Sequence, residues 1–408
     1  MAAAQCISRL GAWKGYVVDA DEEVRRGGVT WCRIWLRPKQ RKWRCCSGCG
    51  QQVAATHDVQ MRRVRELPVF ETPVELMVPR LRLLCPRCGP KLEHLPWLEP
   101  YSRTTVRLET SVARLCKVMS VRHAAAFYDL AWTTVKRIDK RYLERELGPI
   151  DLDGVRVIAM DEFAIHKGHR YATVIVEPYS KRVLWLGLGR GRQDVRPFFE
   201  LLGQHGREQL QAVAMDMNAG YAEEVKAQCP NAKVVYDLFH VVAKYGRQVI
   251  DRVRVDEANR LRHDKPARKL VKTSRWLLAR NPENITRPED KIRLRDLLDA
   301  NRALFTVYVM KDDLKSLWGY RHEGYARRFW QQWYGRAIRS RIPPLKAFAV
   351  ALKGYIDGIL SHCRWPLGTN LVEGINNKIK VIKRMAYGYR DDAYFFLKIR
   401  AAFPGNRR

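Results

Sequence analysis

The sequence predicts an α/β protein. A mixed-sheet core carries an all-helical insertion and is preceded by a β-rich zinc-ribbon-like module and a helix-turn-helix. Three observations predict this. Two Cys-x2-Cys pairs stand near the N-terminus, short apolar runs alternate with helical periods from residue 155 to residue 237, and a long helical stretch rich in Arg and Trp follows. At 408 residues and 46% hydrophobic, the chain is long enough for two or three domains. Lys and Arg number 75 against 43 Asp and Glu, a net charge of +32. That balance excludes most ordinary metabolic enzymes and points to a polyanion, with nucleic acid first because neutralised phosphates release counterions. No apolar run approaches the roughly 20 residues of a spanning helix, and residues 1–10 lack a signal-peptide apolar core. The expectation is a cytoplasmic, nucleoid-associated protein without a membrane partner.

Residues 1–44 read as a β-rich lead-in, alternating with period two at 15–18 and 29–36 around the turn signal Arg26-Gly27-Gly28. The knuckles are Cys46-Ser47-Gly48-Cys49-Gly50 and Cys85-Pro86-Arg87-Cys88-Gly89. Glycine permits the positive φ that turns backbone amides toward thiolates. Two such knuckles make a closed tetrahedral site for one structural Zn2+ from Cys46, Cys49, Cys85 and Cys88, and alternation over 59–84 fits a hairpin between them. Cys45 adjoins the first knuckle and could compete as a ligand; Cys6, Cys32, Cys116, Cys229 and Cys363 read as core. From Arg33 to Arg65 nine Lys/Arg accompany one acid, Asp58, which predicts a basic surface on the module.

Residues 104–147 switch to a helical period. Small residues at Ala124–Ala126, then Thr133-Thr134 at a helix start with Val135 and Ile138 facing inward, fit a helix-turn-helix, with Arg122, Thr133, Thr134, Lys136 and Lys140 as candidate DNA contacts. After Gly148-Pro149, strands at 155–160, 171–176 and 183–188, a helix near 195–202, a strand at 211–215, a helix near 221–228 and a strand at 233–236 give the order βββαβαβ. Residues 238–368 are helical in period. Their tryptophans read mostly as core, with Trp333 and the basic run 336–341 as the expected exceptions. Two helical stretches close the chain, and Tyr387 and Tyr389 read as core or as platforms for a splayed base. The predicted domains are 1–100, zinc-binding; 101–150, helix-turn-helix; 151–240 with 369–403, catalytic core; and 241–368, helical insertion.

Asp161 and Asp216 each directly follow an apolar strand, and the carboxyl ends of strands in an open α/β sheet are where sites form. Two neighbouring carboxylates repel unless hard divalent cations neutralise them. A third acid is available in Glu373, since Asn370, Glu373, Asn377 and Lys380 fall on one helical stripe.

Met160-Asp161-Glu162-Phe163-Ala164, Lys167 to Thr173, Asp237-Leu238-Phe239-His240, Arg275-Trp276-Leu277-Leu278 and Asn281-Pro282-Glu283-Asn284 resemble the bacterial insertion-sequence transposases of the ISL-three group. The most specific match is Glu373-Gly374-Ile375-Asn376-Asn377-Lys378-Ile379-Lys380 with the segment from Lys383 to Arg390, and the likeness runs from about Cys46 to Phe403. It implies an RNase H-like core with an Asp-Asp-Glu triad at Asp161, Asp216 and Glu373, holding two Mg2+ or Mn2+. The 156 residues between the second and third acids accommodate the insertion. Asp237 could rival Asp216 as the second ligand, and His240 either orients a phosphate or water or caps its helix. Lys378, Lys380, Lys383 and Arg384 would neutralise phosphates beside the site. The implied reaction is metal-dependent strand cleavage and transfer by direct phosphodiester attack, on the ends of an insertion sequence bridged by at least a dimer. Two rivals predict less: a DNA-binding regulator without chemistry, and a nuclease that cuts but does not join.

Overall fold

The computed structural model describes residues 11, 13–166, 168, 170–367 and 370–406. Cys6 and Thr369 lie outside the described residues. The chain divides into two compact units: residues 1–148 with 383–397, and residues 149–382 with 398–408.

The first unit is built on one sheet. Strands β1 (Tyr16–Arg26), β2 (Val29–Pro38), β5 (Thr56–Val69) and β6 (Thr72–Cys85) lie in the order β1-β2-β6-β5, and β7 (Gly89–Leu92) adds to β6; β3 (Arg44–Cys45) and β4 (Gln52–Val53) form a separate small ribbon. The expected hairpin between the knuckles is β5/β6. Its tip, Phe70-Glu71, holds both residues at positive φ, as a two-residue hairpin turn requires. The central strand β6 is buried along most of its length and supplies Val74, Leu76, Val78 and Leu83 to the core.

The basic run on this unit is less of a free surface than its composition predicts. Glu75, only 3% exposed, lies beneath Arg26, Arg33 and Arg63, while Arg37 pairs with Asp19 and Arg44 with Glu93. Helices α1 (Val106–Cys116), α2 (Val121–Tyr128) and α3 (Trp132–Leu147) complete the unit's N-terminal portion. The Thr105 hydroxyl accepts from Leu108 N and the Ser120 hydroxyl from His123 N, satisfying amides that the helix starts leave open. Ala124 and Ala125 are buried where α2 meets its neighbours, and Asp129, in the left-handed region, turns the chain into α3.

The second unit contains β8 (Val157–His166), β9 (Arg170–Glu177), β10 (Arg182–Leu188), α4 (Arg192–Gln209), β11 (Ala212–Met215), α5 (Ala219–Gln228) and β12 (Lys233–Tyr236), the predicted βββαβαβ order. The sheet runs β10-β9-β8-β11-β12; β8, β9 and β10 form an antiparallel meander, and β11 lies parallel to both β8 and β12. Helix α6 (Leu238–Tyr245) passes through a π-helical turn, Gly246–Ile250, into α7 (Asp251–Arg260). The insertion continues with α8 (Lys265–Thr273), α9 (Arg275–Ala279), α10 (Pro288–Ala300), α11 (Arg302–Ser316), α12 (Glu323–Arg339), α13 (Pro343–Lys353) and α14 (Ile356–Leu360). Sheet and insertion share one core, from Ile158 and Phe198 through Tyr245 to Trp333 and Phe348.

Trp333 corrects an expectation. It is fully buried, stacks on Trp330 and donates its indole N–H to Met310 O at 2.9 Å, so it is core and not a nucleic-acid contact. The exposed tryptophan of the insertion is Trp276, at 69%. Helices α15 (Asn370–Met385) and α16 (Asp392–Ala402) close the chain. Tyr389 is buried, stacked on Phe395, whereas Tyr387 is exposed. Among the described residues no helix is long and apolar enough to cross a membrane.

Candidate functional site

Parallel register sets the site. Ala212, Val213 and Ala214 of β11 pair with Val157, Ile158 and Ala159 of β8, so the next residues but one, Asp216 and Asp161, stand at the same level across the sheet. The same count along β11 and β12, from Ala212↔Lys233 to Met215↔Tyr236, brings Asp237 to that level too. Asp216 and Asp237 thus directly follow β11 and β12, whereas Asp161, expected just past the end of its strand, lies within β8, which runs on to His166 because Asp161 and the residues after it pair with β9, Asp161 opposite Val174. The unbroken apolar runs stop at this level, although Phe163 and Ile165 carry burial further along β8.

Each carboxylate is held. Asp161 Oδ1 accepts from Glu162 N at 2.8 Å, and Asp216 Oδ1 accepts from Asn218 N at 3.1 Å. Asn218 in turn caps α5. Burial pushes the Asp161 carboxyl up to about 6; the Asp216 and Glu162 charges add to that, and the Glu162 amide and His240 oppose it. Asp216 is also raised by burial, against His240 and Lys244. His240 and Lys244 are one turn apart on α6; His240 lies close enough to act on both aspartates, and Lys244 acts on Asp216. Asp237, 5% exposed, is the N-cap residue of α6. Beside it opens a cavity of about 690 Å³ lined by Phe239, Trp276, Trp318 and Lys311 among others.

Helix α15 is tied to the pair through a residue that the sequence did not single out. Asn376 Nδ2 donates to Asp161 Oδ2 at 2.7 Å. Val372, Ile375, Asn376, Ile379 and Ile382 form the buried face of α15, while Glu373, Asn377 and Lys380 are exposed. Glu373 stands three residues before Asn376 and so is its neighbour along the helix surface. Among the described residues, only Cys46, Cys49, Cys85 and Cys88 bring three or more candidate metal-ligand atoms within 4.8 Å of one another. Asp161, Asp216 and Glu373 are not gathered to that distance. Of the cations expected nearby, Lys378 donates to Ala402 O at 3.1 Å and lies over the Phe403 ring, and Lys380 donates to Asn377 Oδ1. Lys383 and Arg384 stand in the last turn of α15.

The donor set fits divalent cations. Asp161 and Asp216 are half-buried carboxylates raised in pKa by desolvation, neither makes an ion pair among the described residues, and the buried Asn376 Oδ1 has no hydrogen-bond partner among them.

The four knuckle sulfurs fit zinc equally directly. A tetrahedron with Zn–S near 2.3 Å separates its sulfurs by about 3.8 Å, and Cys49 and Cys85 lie 3.6 Å apart. Gly48 N donates to Cys46 Sγ, and a side chain at Gly48 would press on Cys88 Sγ. Cys45 is exposed and outside the cluster, so it does not replace a ligand. Cys116 and Cys229 are buried as expected; Cys32 and Cys363 are half-buried. In the helix-turn-helix, Arg122 and Thr133 are exposed and Thr134 half-buried. Lys136 and Lys140 instead pair with Asp391 at 2.9 and 3.2 Å.

Acids level with one another on neighbouring strands, beside α6, suit phosphoryl chemistry, and the modules before them suit DNA, so the fold and site define an enzyme that acts on DNA. Residues 158–399 match the DDE-class ISL3 family described as "Transposase", residues 93–143 the helix-turn-helix domain of transposase family ISL3, and residues 44–88 the zinc-finger of transposase IS204/IS1001/IS1096/IS1165. The chain is 52% identical, over 98% of both sequences, to the transposase for insertion sequence element IS1001 of Bordetella parapertussis. It is 27% identical to the transposase for insertion sequence element IS1557 of Mycobacterium tuberculosis, over 91% of this chain and 88% of the relative. The chain belongs to the ISL3 family of insertion-sequence transposases, enzymes that bind, cleave and transfer DNA strands. Membership carries a divalent-metal requirement and a zinc ribbon.

Proposed function

We propose that Asp161, Asp216 and Glu373 are the catalytic triad of an RNase H-like core formed by 151–240 and 369–403, that 241–368 is its insertion, and that 1–100 and 101–150 are the zinc and helix-turn-helix modules. The carrying observation is the level placement of Asp161 and Asp216 on adjacent parallel strands, with the Glu373 helix bonded to Asp161 through Asn376. The triad would hold two Mg2+ or Mn2+ ions. Bound there, the ions supply Lewis-acid activation of the attacking oxygen and charge stabilisation of the leaving 3′ oxygen.

The chain's own residues do the rest. Asn376 fixes the orientation of the Asp161 carboxylate, and the Glu162 amide holds its other oxygen. His240 favours the ionised form of both aspartates and Lys244 that of Asp216, and Lys244 also favours a phosphate brought against them. Lys380, Lys383 and Arg384 extend that field along α15 to the DNA backbone. Water, then the freed 3′-hydroxyl, attacks phosphorus directly, and no protein–DNA covalent bond forms. The helix-turn-helix, through Arg122, Thr133 and Thr134, holds the terminal inverted repeats, and a homodimer in the bacterial cytoplasm bridges two ends.

The test is a strand-joining assay on duplexes ending in the inverted repeat, with Asp161→Asn, Asp216→Asn and Glu373→Gln. Each should lose both nicking and joining by a factor of 10³ or more, roughly the loss of over 4 kcal/mol of transition-state stabilisation. Joining that survives in any of the three removes that residue from the triad. Products cut but never linked to target DNA would make the enzyme a nuclease.

A further inference from the structure

Helix α3 carries five basic residues, Lys136, Arg137, Lys140, Arg141 and Arg145. Four of them face an acid: Lys136 and Lys140 face Asp391, Arg141 faces Glu109, and Arg145 faces Glu99 at 3.9 Å. Arg137 faces none among the described residues, and its side chain is exposed.

Its direction is as distinctive as its lack of a partner. The buried side chains of α3 are Val135, Ile138, Asp139 and Leu143. At about 100° per residue these cover one arc, and Arg137 points roughly opposite its middle, flanked by exposed Thr133 and Glu144. Lys136 and Lys140 lie to one side of that line, on the flank where Tyr394 bonds Asp139 and Asp391 takes both ammonium groups.

We propose that Arg137, with Thr133 one turn before it, reads a guanine edge in the major groove of the inverted repeat, and that Lys136 and Lys140 serve packing against residues 391–394 instead. The inference rests on the reading above that this helix-turn-helix holds the transposon ends. In such a motif the N-terminal half of the second helix meets base edges. Thr133 and Arg137 are the second and sixth residues of α3. A guanidinium presents two parallel donors that match guanine O6 and N7, a pattern found in the major groove at no other base. Exposed Arg122 at the start of α2 is placed to meet backbone phosphate as the first helix crosses it.

The experiment measures binding of the full-length protein to a duplex bearing the inverted repeat and to a scrambled duplex of equal composition, at one salt concentration. Arg137→Ala should lose about 5- to 150-fold on the repeat, the range of one good bidentate base contact, and keep its affinity for the scrambled duplex. Replacing the contacted guanine by 7-deazaguanine should weaken the wild type and leave Arg137→Ala unaffected. Lys136→Gln and Lys140→Gln should keep the ratio of the two affinities while lowering the melting temperature. Undiminished discrimination by Arg137→Ala overturns the proposal. If Lys136→Gln or Lys140→Gln then abolishes discrimination, the reading face is the Asp391 side. If no α3 or α2 variant changes it, the helix-turn-helix is not the reader of the repeat and the underlying assignment fails as well.

Discussion

Asn376 reaches Asp161 across 215 residues of sequence and donates to it at 2.7 Å, which fastens the helix of Glu373 to the strand of the first aspartate. A single amide therefore couples the third acid to the first. Truncating it in Asn376→Ala removes a hydrogen bond to a charged group, worth about 1.5–3 kcal/mol. Single-turnover nicking should fall about 10- to 100-fold with DNA binding unchanged. An unaltered nicking rate would mean that Asp161 is oriented by other contacts.

The half-buried carboxyl of Asp161 makes stability depend on pH in the opposite sense. Its carboxyl is pushed up to about 6, above the unfolded value, so the folded protein binds that proton more tightly. The metal-free protein is therefore penalised progressively as pH rises from about 4 through 6. Asp161→Asn should raise its stability at pH 7.5 by about 1–2 kcal/mol, and the gain should disappear near pH 4. Urea titrations at the two pH values check this. The same variant is expected to be inactive.

Asp216 and Asp237 both end strands at the level of Asp161, and substitution separates their roles. Asp216→Asn should abolish strand cleavage, whereas Asp237→Asn, at the N-cap of α6 where Asn serves as well as Asp, should leave the melting temperature nearly unchanged and reduce the rate about tenfold or less. Reversed severities would make Asp237 the second ligand.

Removing zinc from the knuckles should unravel the module they close. Cys85→Ser or chelation should release one Zn2+ per chain and expose the Trp13 and Trp97 region to solvent, read as a red-shifted tryptophan emission. Retention of the wild-type emission without zinc would show that the β5/β6 sheet stands on its own core.

Glu224 sets an acid limit on the fold. Its carboxylate has no exposed surface, lies 2.9 Å from Arg196 and 2.8 Å from Arg192, and is held by them at about 2. A depressed carboxylate stabilises the folded state above its unfolded pKa and loses that contribution as pH falls through the folded value. Glu224→Gln should cost about 2 kcal/mol at neutral pH, with the gap to wild type narrowing between about pH 4.5 and pH 2 in chemical denaturation.

Much of this was legible because burial leaves a one-dimensional trace. Asp161 and Asp216 stand where apolar runs stop, and the knuckle cysteines carry their own spacing. Trp330, Trp333 and Ala337, at helical spacing, already marked the buried face of α12, yet Trp333 was expected at the surface because of the basic run beside it. Asn376 could not be read out, since an amide on the apolar face of a helix signals nothing until the strand opposite is known. Lys136 and Lys140 look like a solvated pair at i, i+4. Their acid, Asp391, is about 250 residues away in sequence, beyond any local pattern.

The most direct test of the account is Mn2+ binding by the DNA-bound protein, followed by electron paramagnetic resonance. The wild type should take up two Mn2+ per chain in competition with Mg2+, and Asp161→Asn, Asp216→Asn and Glu373→Gln should each weaken or remove that uptake. Two Mn2+ bound with unchanged affinity in all three variants would contradict the assignment of the metal site to these acids.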